Sequence, residues 1–569
     1  MKVRFLGPVG KVTGSCTWLW DEERNWSMLV DCGMQQGEPN ADKWNACEWP
    51  FDPKEIKLVV LTHAHIDHCG LLPMLYKKGF EGRVYCAKET RQIATLLLKD
   101  AARLGGAGFY QDDVDKIVWH EPGAGEMFFG KLHPLDQDLF VSFYRSGHIV
   151  GAVSAVIHWG PPKSVEQRSI AFSGDLGPNQ EDLEELPFLR HRMGVPSCEF
   201  AVVESTYGSK VRNHDECTAM TRRDQLRRLM DQCLRTGGVL GISAFSLGRT
   251  QDVLFDLHWI VAEDPDRYGS MPVFLDSPTA RKLHGVILTA LERTECNGRK
   301  GKVRPLWLGK QMFRWFDLDG TDPEHTARVL EICKMTLGHC ESAKPSHKSL
   351  GNDISRSWRS VVRPPASRAE VDEVIARGPA VLVFSSGTCD GGPVAHWLPK
   401  LLGNARNTIA LSGYCHPSTV GGKLLALTNV PKSERRRLSG NLTWHPDASF
   451  ELAEVRAGVT ALQGYSAHAD QQGLMKWISD DTRIAQRKPL SRGIFIQHGT
   501  DVNRHALCDA INARAADING LNMHVALPDA ESVFDLDKGG EKVIVEDQLL
   551  DLDRQIAQLL ERKKRMGRG

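Results

Sequence analysis

His63-Ala64-His65-Ile66-Asp67-His68 places three imidazoles and a carboxylate within six residues. An apolar run over residues 56–61 leads into it, so the motif is expected at the end of a buried strand. In extended backbone His63 and His65 project the same way, while Asp67 and His68 follow after the chain turns and can face a second ion. Such a cluster can hold two metals side by side if more ligands arrive from far along the chain. The candidates are His148 in Ser146-Gly147-His148-Ile149-Val150-Gly151-Ala152, Asp175 in Phe172-Ser173-Gly174-Asp175-Leu176-Gly177, and His498. Asp175, at a strand end between glycines, can bridge both ions. Asp31, ending another strand in Leu29-Val30-Asp31-Cys32-Gly33, is expected to orient the loop or a ligand imidazole. Nitrogen and oxygen ligands without a thiolate suit zinc, with manganese or iron as alternatives. Two adjacent metals in an open cleft point to a hydrolase, with phosphodiesters as the first substrate class. The other histidines, such as His120, His258 and His524, read as surface or satisfied core imidazoles.

The 569 residues are too many for one core, so two or more domains are expected. Hydrophobic and charged contents of 41% and 25% are those of a soluble globular chain. Lys+Arg and Asp+Glu both number 71, so no global field draws polyanions and any nucleic-acid site must be a local cleft. The 14 cysteines include no CxxC pair and read as reduced thiols. The opening MKVRFLGPVG lacks the apolar stretch of a signal peptide, and no apolar run is long enough for a bilayer, so a cytoplasmic location without membrane contact is expected.

Residues 1–20 read as strand, glycine-rich turn and strand, followed by a third strand at 26–31. Further apolar strands end on polar residues or glycine: 169–172 before Ser173-Gly174-Asp175, 200–203 before Glu204, 380–384 before Ser385-Ser386-Gly387, and 494–497 before His498. Helical periodicity covers 89–102, 218–234, 249–261 and 470–478, so the class is α/β. Residues 292–375, with Arg299, Lys300, Lys302, Arg304 and Lys310 and a polar run over 342–359, read as a variable insertion with exposed loops. Leu549, Leu552, Ile556 and Leu559 give residues 543–566 an amphipathic helical pattern that could dock on its own domain or pair two copies as a homodimer.

The order Asp31, HxHxDH, His148, Asp175 resembles the metallo-β-lactamase fold. Val203-Glu204-Ser205-Thr206-Tyr207-Gly208, Gly464-Tyr465-Ser466-Ala467-His468-Ala469-Asp470 and Gln497-His498-Gly499 resemble motifs A, B and C of its β-CASP branch, the nucleases of RNA and DNA processing. Residues 243–251 (SAFSLGRTQ), 275–278 (LDSP) and 385–392 (SSGTCDGG) resemble stretches of that branch's inserted domain. The resemblance implies an αββα sandwich split into residues 1–205 and 456–540. An α/β β-CASP domain, residues 206–455, would be inserted into it, and residues 541–569 would form a C-terminal helix. It assigns His63, His65 and His148 to one ion and Asp67, His68 and His498 to the other, with Asp175 and a hydroxide bridging. His468, Glu204 and Asp67 are the implied catalytic residues. His468 would act as general acid or donor to a phosphate oxygen, with Glu204 accepting from its other nitrogen and keeping it protonated. Arg249, Ser386 and Ser466 are assigned to substrate binding. A histidine at motif C resembles the RNA-acting members, so the implied activity is hydrolysis of single-stranded RNA, endonucleolytic with a 5′-exonucleolytic mode open. The rivals are a DNA nuclease of the same branch, a small-molecule hydrolase of the same fold, and a scaffold that has lost its metals. Departures from the family concern charge. Thr388-Cys389-Asp390-Gly391-Gly392-Pro393 stands where members show Met-Cys-Thr-Gly-Gly-Arg, and Val420-Gly421-Gly422 where they tend to have Leu-Gly-Arg. Two potential phosphate-contacting cations are thereby absent.

Overall fold

The computed structural model describes the chain except for residues 8, 37–40, 106, 123–128, 181–183, 196–197, 298–301, 339–346, 364–366, 445–447, 482–492, 518–523 and 544–569. The alternating N-terminal pattern forms a meander in which Lys2–Phe5, Thr17–Asp21 and Trp26–Val30 pair antiparallel. Leu58–Val60, Arg83–Tyr85 and Trp119–His120 continue this sheet in parallel, and Val533–Asp535 and Glu541–Val543 extend its other edge. A second sheet carries Phe200–Glu204 between Arg168–Phe172 and Gly493–Gln497. The sheets face each other: Phe5, Met28 and Val60 of the first share one buried cluster with Phe143, Ile157, Phe172 and Phe495 of the second. Lys88–Leu104 packs on the outer face of the first sheet, with Ile93 and Leu98 inward. Gln471–Lys476 and Asp501–Asp517 cover the second. This is the expected αββα sandwich.

Beyond Glu204 the chain builds a third sheet in the order Val362–Arg363, Val273–Asp276, Ala380–Phe384, Val239–Ser243, Thr408–Leu411, Gly458–Ala461, all parallel. The continuous apolar strands VLGIS and AVLVF are buried throughout, as a sheet covered by helices on both faces requires. Because Gly458–Ala461 is an edge strand of this sheet, the inserted domain runs through Ala461 rather than closing at residue 455. The chain then returns to the sandwich, where Gly493–Gln497 pairs in parallel with Phe200–Glu204, placing Glu204 opposite Gln497.

The segment 292–375 is not the set of exposed loops its polarity suggests. Trp307, Met312, Phe316, Ile332 and Trp358 are buried. They share a core with Phe255 of the inserted domain and with Ile93 and Leu98 of the sandwich, so the segment ties the two together. The Trp358 ring lies 5.0 Å from Phe255 and 5.3 Å from Phe316, and its Nε1 donates to Thr336 Oγ1 at 3.3 Å. The apolar anchors are spaced too widely for a periodicity, and the charged residues between them dominate the composition. The side chains of Arg299, Lys300, Lys302 and Arg304, and the helix expected beyond Val543, lie outside the described residues. Trp358→Ala should cost about 3–5 kcal/mol of stability, read as a lowered denaturant midpoint. An unchanged midpoint would contradict the buried assignment.

Candidate metal centre

Local sequence explains how the ligands are aimed. The strand Leu58–Val60 runs into Thr62-His63, and His65 is the N-terminal cap of the short helix Ile66–Cys69. The turn between them sends His63 and His65 one way and Asp67 and His68 the other. The Asp31 loop closes on this helix through Cys32 N donating to His68 O at 2.8 Å and Met34 N to Ile66 O at 3.0 Å. A Cβ on Gly33 would stand 1.7 Å from the Asp67 carbonyl oxygen, so only glycine permits the approach. Asp31 and His498 both leave their strands with positive φ, 61° and 50°. For residues other than glycine that conformation costs free energy, which the surrounding contacts must offset.

Two donor sets result, one of His63, His65, His148 and Asp175 and the other of Asp67, His68 and His498, and a third group of Asp175, Glu204 and His498 overlaps both. In the first, His65 Nδ1 is 3.2 Å from His63 Nε2 and 3.0 Å from His148 Nε2, while Asp175 Oδ2 is 3.5 Å from His63 Nε2 and 3.4 Å from His148 Nε2. In the second, His68 Nε2 lies 3.2 Å from His498 Nε2, and His498 Nε2 lies 3.5 Å from Asp67 Oδ2. Asp175 joins the two sets: its Oδ1 is 3.3 Å from His68 Nε2. Four imidazoles are held from behind. His63 Nδ1 donates to Thr62 Oγ1 at 3.1 Å, and that hydroxyl donates to Asp31 Oδ2 at 2.8 Å. His68 Nδ1 donates to Asp31 Oδ2 at 2.7 Å, His148 Nδ1 to Ala467 O at 3.0 Å, and His498 Nδ1 to Thr206 Oγ1 at 3.1 Å. Each of these rings therefore presents the Nε2 lone pair to the centre.

The donors fit divalent cations. Three ring nitrogens converge on one another in the first set, where one proton can satisfy only one contact and a cation satisfies all three. Asp175 Oδ1 is buried with no well-aligned hydrogen bond. Burial, and next the neighbouring imidazole of His68 or His468, pushes His63 and His148 well below the usual histidine range; burial takes His65 down to about 4. These rings are neutral and available as ligands at pH 7. In the second set burial acts in the same direction but is outweighed. Asp175 with Asp31 raises His68, and Asp175 with Asp67 raises His498. The carboxylates there call for positive charge, as protons or as a metal.

The remaining predicted residues surround this pair. Glu204 is buried, its Oε1 accepting from Leu176 N at 2.7 Å and its Oε2 from Thr206 N at 3.2 Å. His468 Nδ1 is 3.3 Å from Glu204 Oε1 and its Nε2 3.9 Å from Asp175 Oδ2, so the ring stands between the two carboxylates. Ser466 Oγ accepts from Arg212 Nη2 at 2.9 Å. The Ser386 hydroxyl has no hydrogen-bond partner among the described residues. Arg249 is a correction. Its guanidinium is buried and donates to Asp252 Oδ2 at 2.9 Å, so it is spent inside the inserted domain and not offered to substrate. Sequence reasoning missed Arg212, which donates to His468 O at 2.8 Å and lies with its guanidinium carbon 4.5 Å from the centroid of the Tyr207 ring. Nothing in the polar run around Arg212 marks it. Thr62 and Thr206, which steady His63 and His498, each adjoin a recognised motif and were legible in principle.

Residues 9–214 match the metallo-beta-lactamase superfamily, residues 250–424 the Beta-Casp domain, and residues 452–523 the Zn-dependent metallo-hydrolase RNA specificity domain. The chain belongs to the β-CASP family of the metallo-β-lactamase fold. This β-CASP protein is 28% identical over 492 residues to ribonuclease TTHA0252 of Thermus thermophilus, covering 85% of this chain and 92% of the relative. It is 25% identical over 513 residues to the transcription termination factor FttA of Methanosarcina mazei, covering 88% and 67%. The short form of human tRNase Z has a TM-score of 0.22 at 16% identity, covering 40% of this chain and 83% of that one. In this β-CASP protein the inserted domain contributes no donor to either set; both belong to the two halves of the sandwich. Asp31→Asn should weaken divalent-metal affinity by about 10–100-fold through loss of the His68 support. Titration of metal-stripped protein with zinc, followed by calorimetry, checks this; wild-type affinity at both sites would contradict it.

Proposed function

We propose that the chain is a metal-dependent ribonuclease that hydrolyses phosphodiesters of single-stranded RNA. The observation that carries this is the shared Asp175 carboxylate between two complete donor sets, with the Glu204–His468 pair standing beside it. His63, His65 and His148 would hold one ion and Asp67, His68 and His498 the other, with Asp175 reaching both. Zinc is the metal we assign, from neutral imidazoles and carboxylates without thiolate. When bound, two such cations lower the pKa of water toward neutrality and neutralise charge on a phosphodiester.

The chain's own residues do the rest. Glu204 fixes the His468 ring so that Nε2 faces Asp175 across 3.9 Å. From there His468 delivers a proton to the leaving ribose oxygen, or donates to a non-bridging phosphate oxygen. Arg212 holds the His468 backbone in place by donating to its carbonyl. Support for RNA over DNA comes from the RNA specificity domain matched at residues 452–523, from the name of the Thermus relative, and from His498 at the third motif.

The test is parallel incubation with end-labelled single-stranded RNA, DNA of the same sequence, and bis(p-nitrophenyl) phosphate. RNA should be cleaved preferentially, and product mapping with a 5′ label separates internal from terminal cutting. DNA cleaved at an equal or greater rate would reject the RNA assignment. His468→Ala should retain both metals and lose about 10²–10⁴-fold in kcat. Native turnover by that variant would remove His468 from the chemistry.

A further inference from the structure

All the strands of the third sheet are parallel, so their C-terminal ends lie along one edge. That edge faces the metal centre. The turn after Val239–Ser243 packs on the His148 loop: Leu247 shares a buried cluster with Ile149 and Val150, and a Cβ on Gly248 would stand 3.9 Å from Ile149 Cγ2. The strand Gly458–Ala461 leaves the same edge and leads within seven residues to His468. Ligands of open parallel sheets bind beyond this edge.

Two turns of this edge carry exposed aromatic side chains. Phe245 follows Val239–Ser243 and Tyr414 follows Thr408–Leu411; they are 38% and 57% exposed. The Phe245 ring lies on two glycines of neighbouring turns. A Cβ on Gly387 would come 2.6 Å from its Cδ2, and one on Gly413 2.7 Å from its Cε2. Its backbone is pinned as well, since Phe245 O accepts from Thr250 Oγ1 at 2.8 Å and from Thr250 N at 3.2 Å. A large apolar ring is therefore held against neighbouring turns while remaining 38% exposed. The three turns at this edge, residues 243–248, 385–393 and 412–422, hold no lysine or arginine. The Arg249 guanidinium, just after the first of these turns, is paired with Asp252, and Asp390 accepts from Val420 N at 2.8 Å. These three turns offer no cationic side chain to a phosphate and an aromatic face to a base.

We propose that Phe245, with Tyr414 beside it, is a base-stacking platform that seats a nucleobase of single-stranded RNA across the cleft from the metal centre. The inference rests on the ribonuclease reading and deepens it: the sandwich holds the scissile phosphate, and the inserted domain holds a base rather than the backbone. Stacking on a preorganised ring tolerates any base, so the platform supplies affinity for an unpaired strand without sequence preference.

The test combines Phe245→Ala and Phe245→Trp with a set of RNA oligonucleotides, each bearing one abasic nucleotide at a different position. Wild-type protein should show one position at which base removal raises KM about 10- to 100-fold. Phe245→Ala should raise KM on intact RNA by a similar factor, with less than about a two-fold further effect from that abasic nucleotide. Phe245→Trp should restore both the KM and the abasic sensitivity, which a variant with a general folding defect would not show. A wild-type KM for Phe245→Ala, or an abasic penalty that persists in full in that variant, would overturn the platform and leave the ribonuclease reading standing. Turnover of bis(p-nitrophenyl) phosphate with RNA left intact by the wild type would remove the ribonuclease reading and the platform together.

Discussion

The Asp175 carboxylate is the constraint on which the rest of the structure depends. It sits buried between two groups of ring nitrogens, one oxygen toward each. A carboxylate removed from water costs several kcal/mol unless positive charge compensates it. His68 and His498, paired with the three carboxylates of Asp31, Asp67 and Asp175, offer that charge only when protonated, and the neutral His63, His65 and His148 offer none. Two divalent cations resolve both halves at once. Much of the surrounding fold can then be understood as the means of bringing these donors together. The close approach at Gly33, the positive φ values of Asp31 and His498, and the parallel register of Glu204 with Gln497 each set the path of the chain at a strand end.

Among the described residues, the sandwich supplies every donor of the two candidate sets, and the turn after Val239–Ser243 of the inserted domain packs on the His148 loop. The segment 292–375 buries aromatic side chains against both domains. Within the sandwich, Ala467, just before His468, accepts from the His148 ring. The link from His148 through the 467–468 backbone to Glu204 couples one metal set to the candidate acid through fixed hydrogen bonds. Arg212 completes the loop from the far side by binding the His468 carbonyl and the Ser466 hydroxyl.

Much of this was legible in the sequence. The His63–His68 motif is local, so composition alone sets it apart. His148, Asp175 and His498 stand at strand ends beside glycines, and the resemblance to the family fixed their order. Besides Arg212, three things were not legible. Trp307, Met312, Phe316 and Trp358 pack over long separations, so polarity hid a core. Arg249 has the chemistry of a phosphate ligand, but Asp252 one helical turn on takes its charge. The edge strand Gly458–Ala461 belongs to the inserted domain through a pairing with Thr408–Leu411 that no local pattern announces.

The most direct measurement is the metal content of Asp175→Ala, determined by elemental mass spectrometry on protein saturated with zinc and then freed of excess. If one carboxylate joins the two sets, both ions should be lost or weakened together, and RNA cleavage with them. An Asp175→Ala protein that keeps both ions at wild-type occupancy would contradict the shared-carboxylate centre.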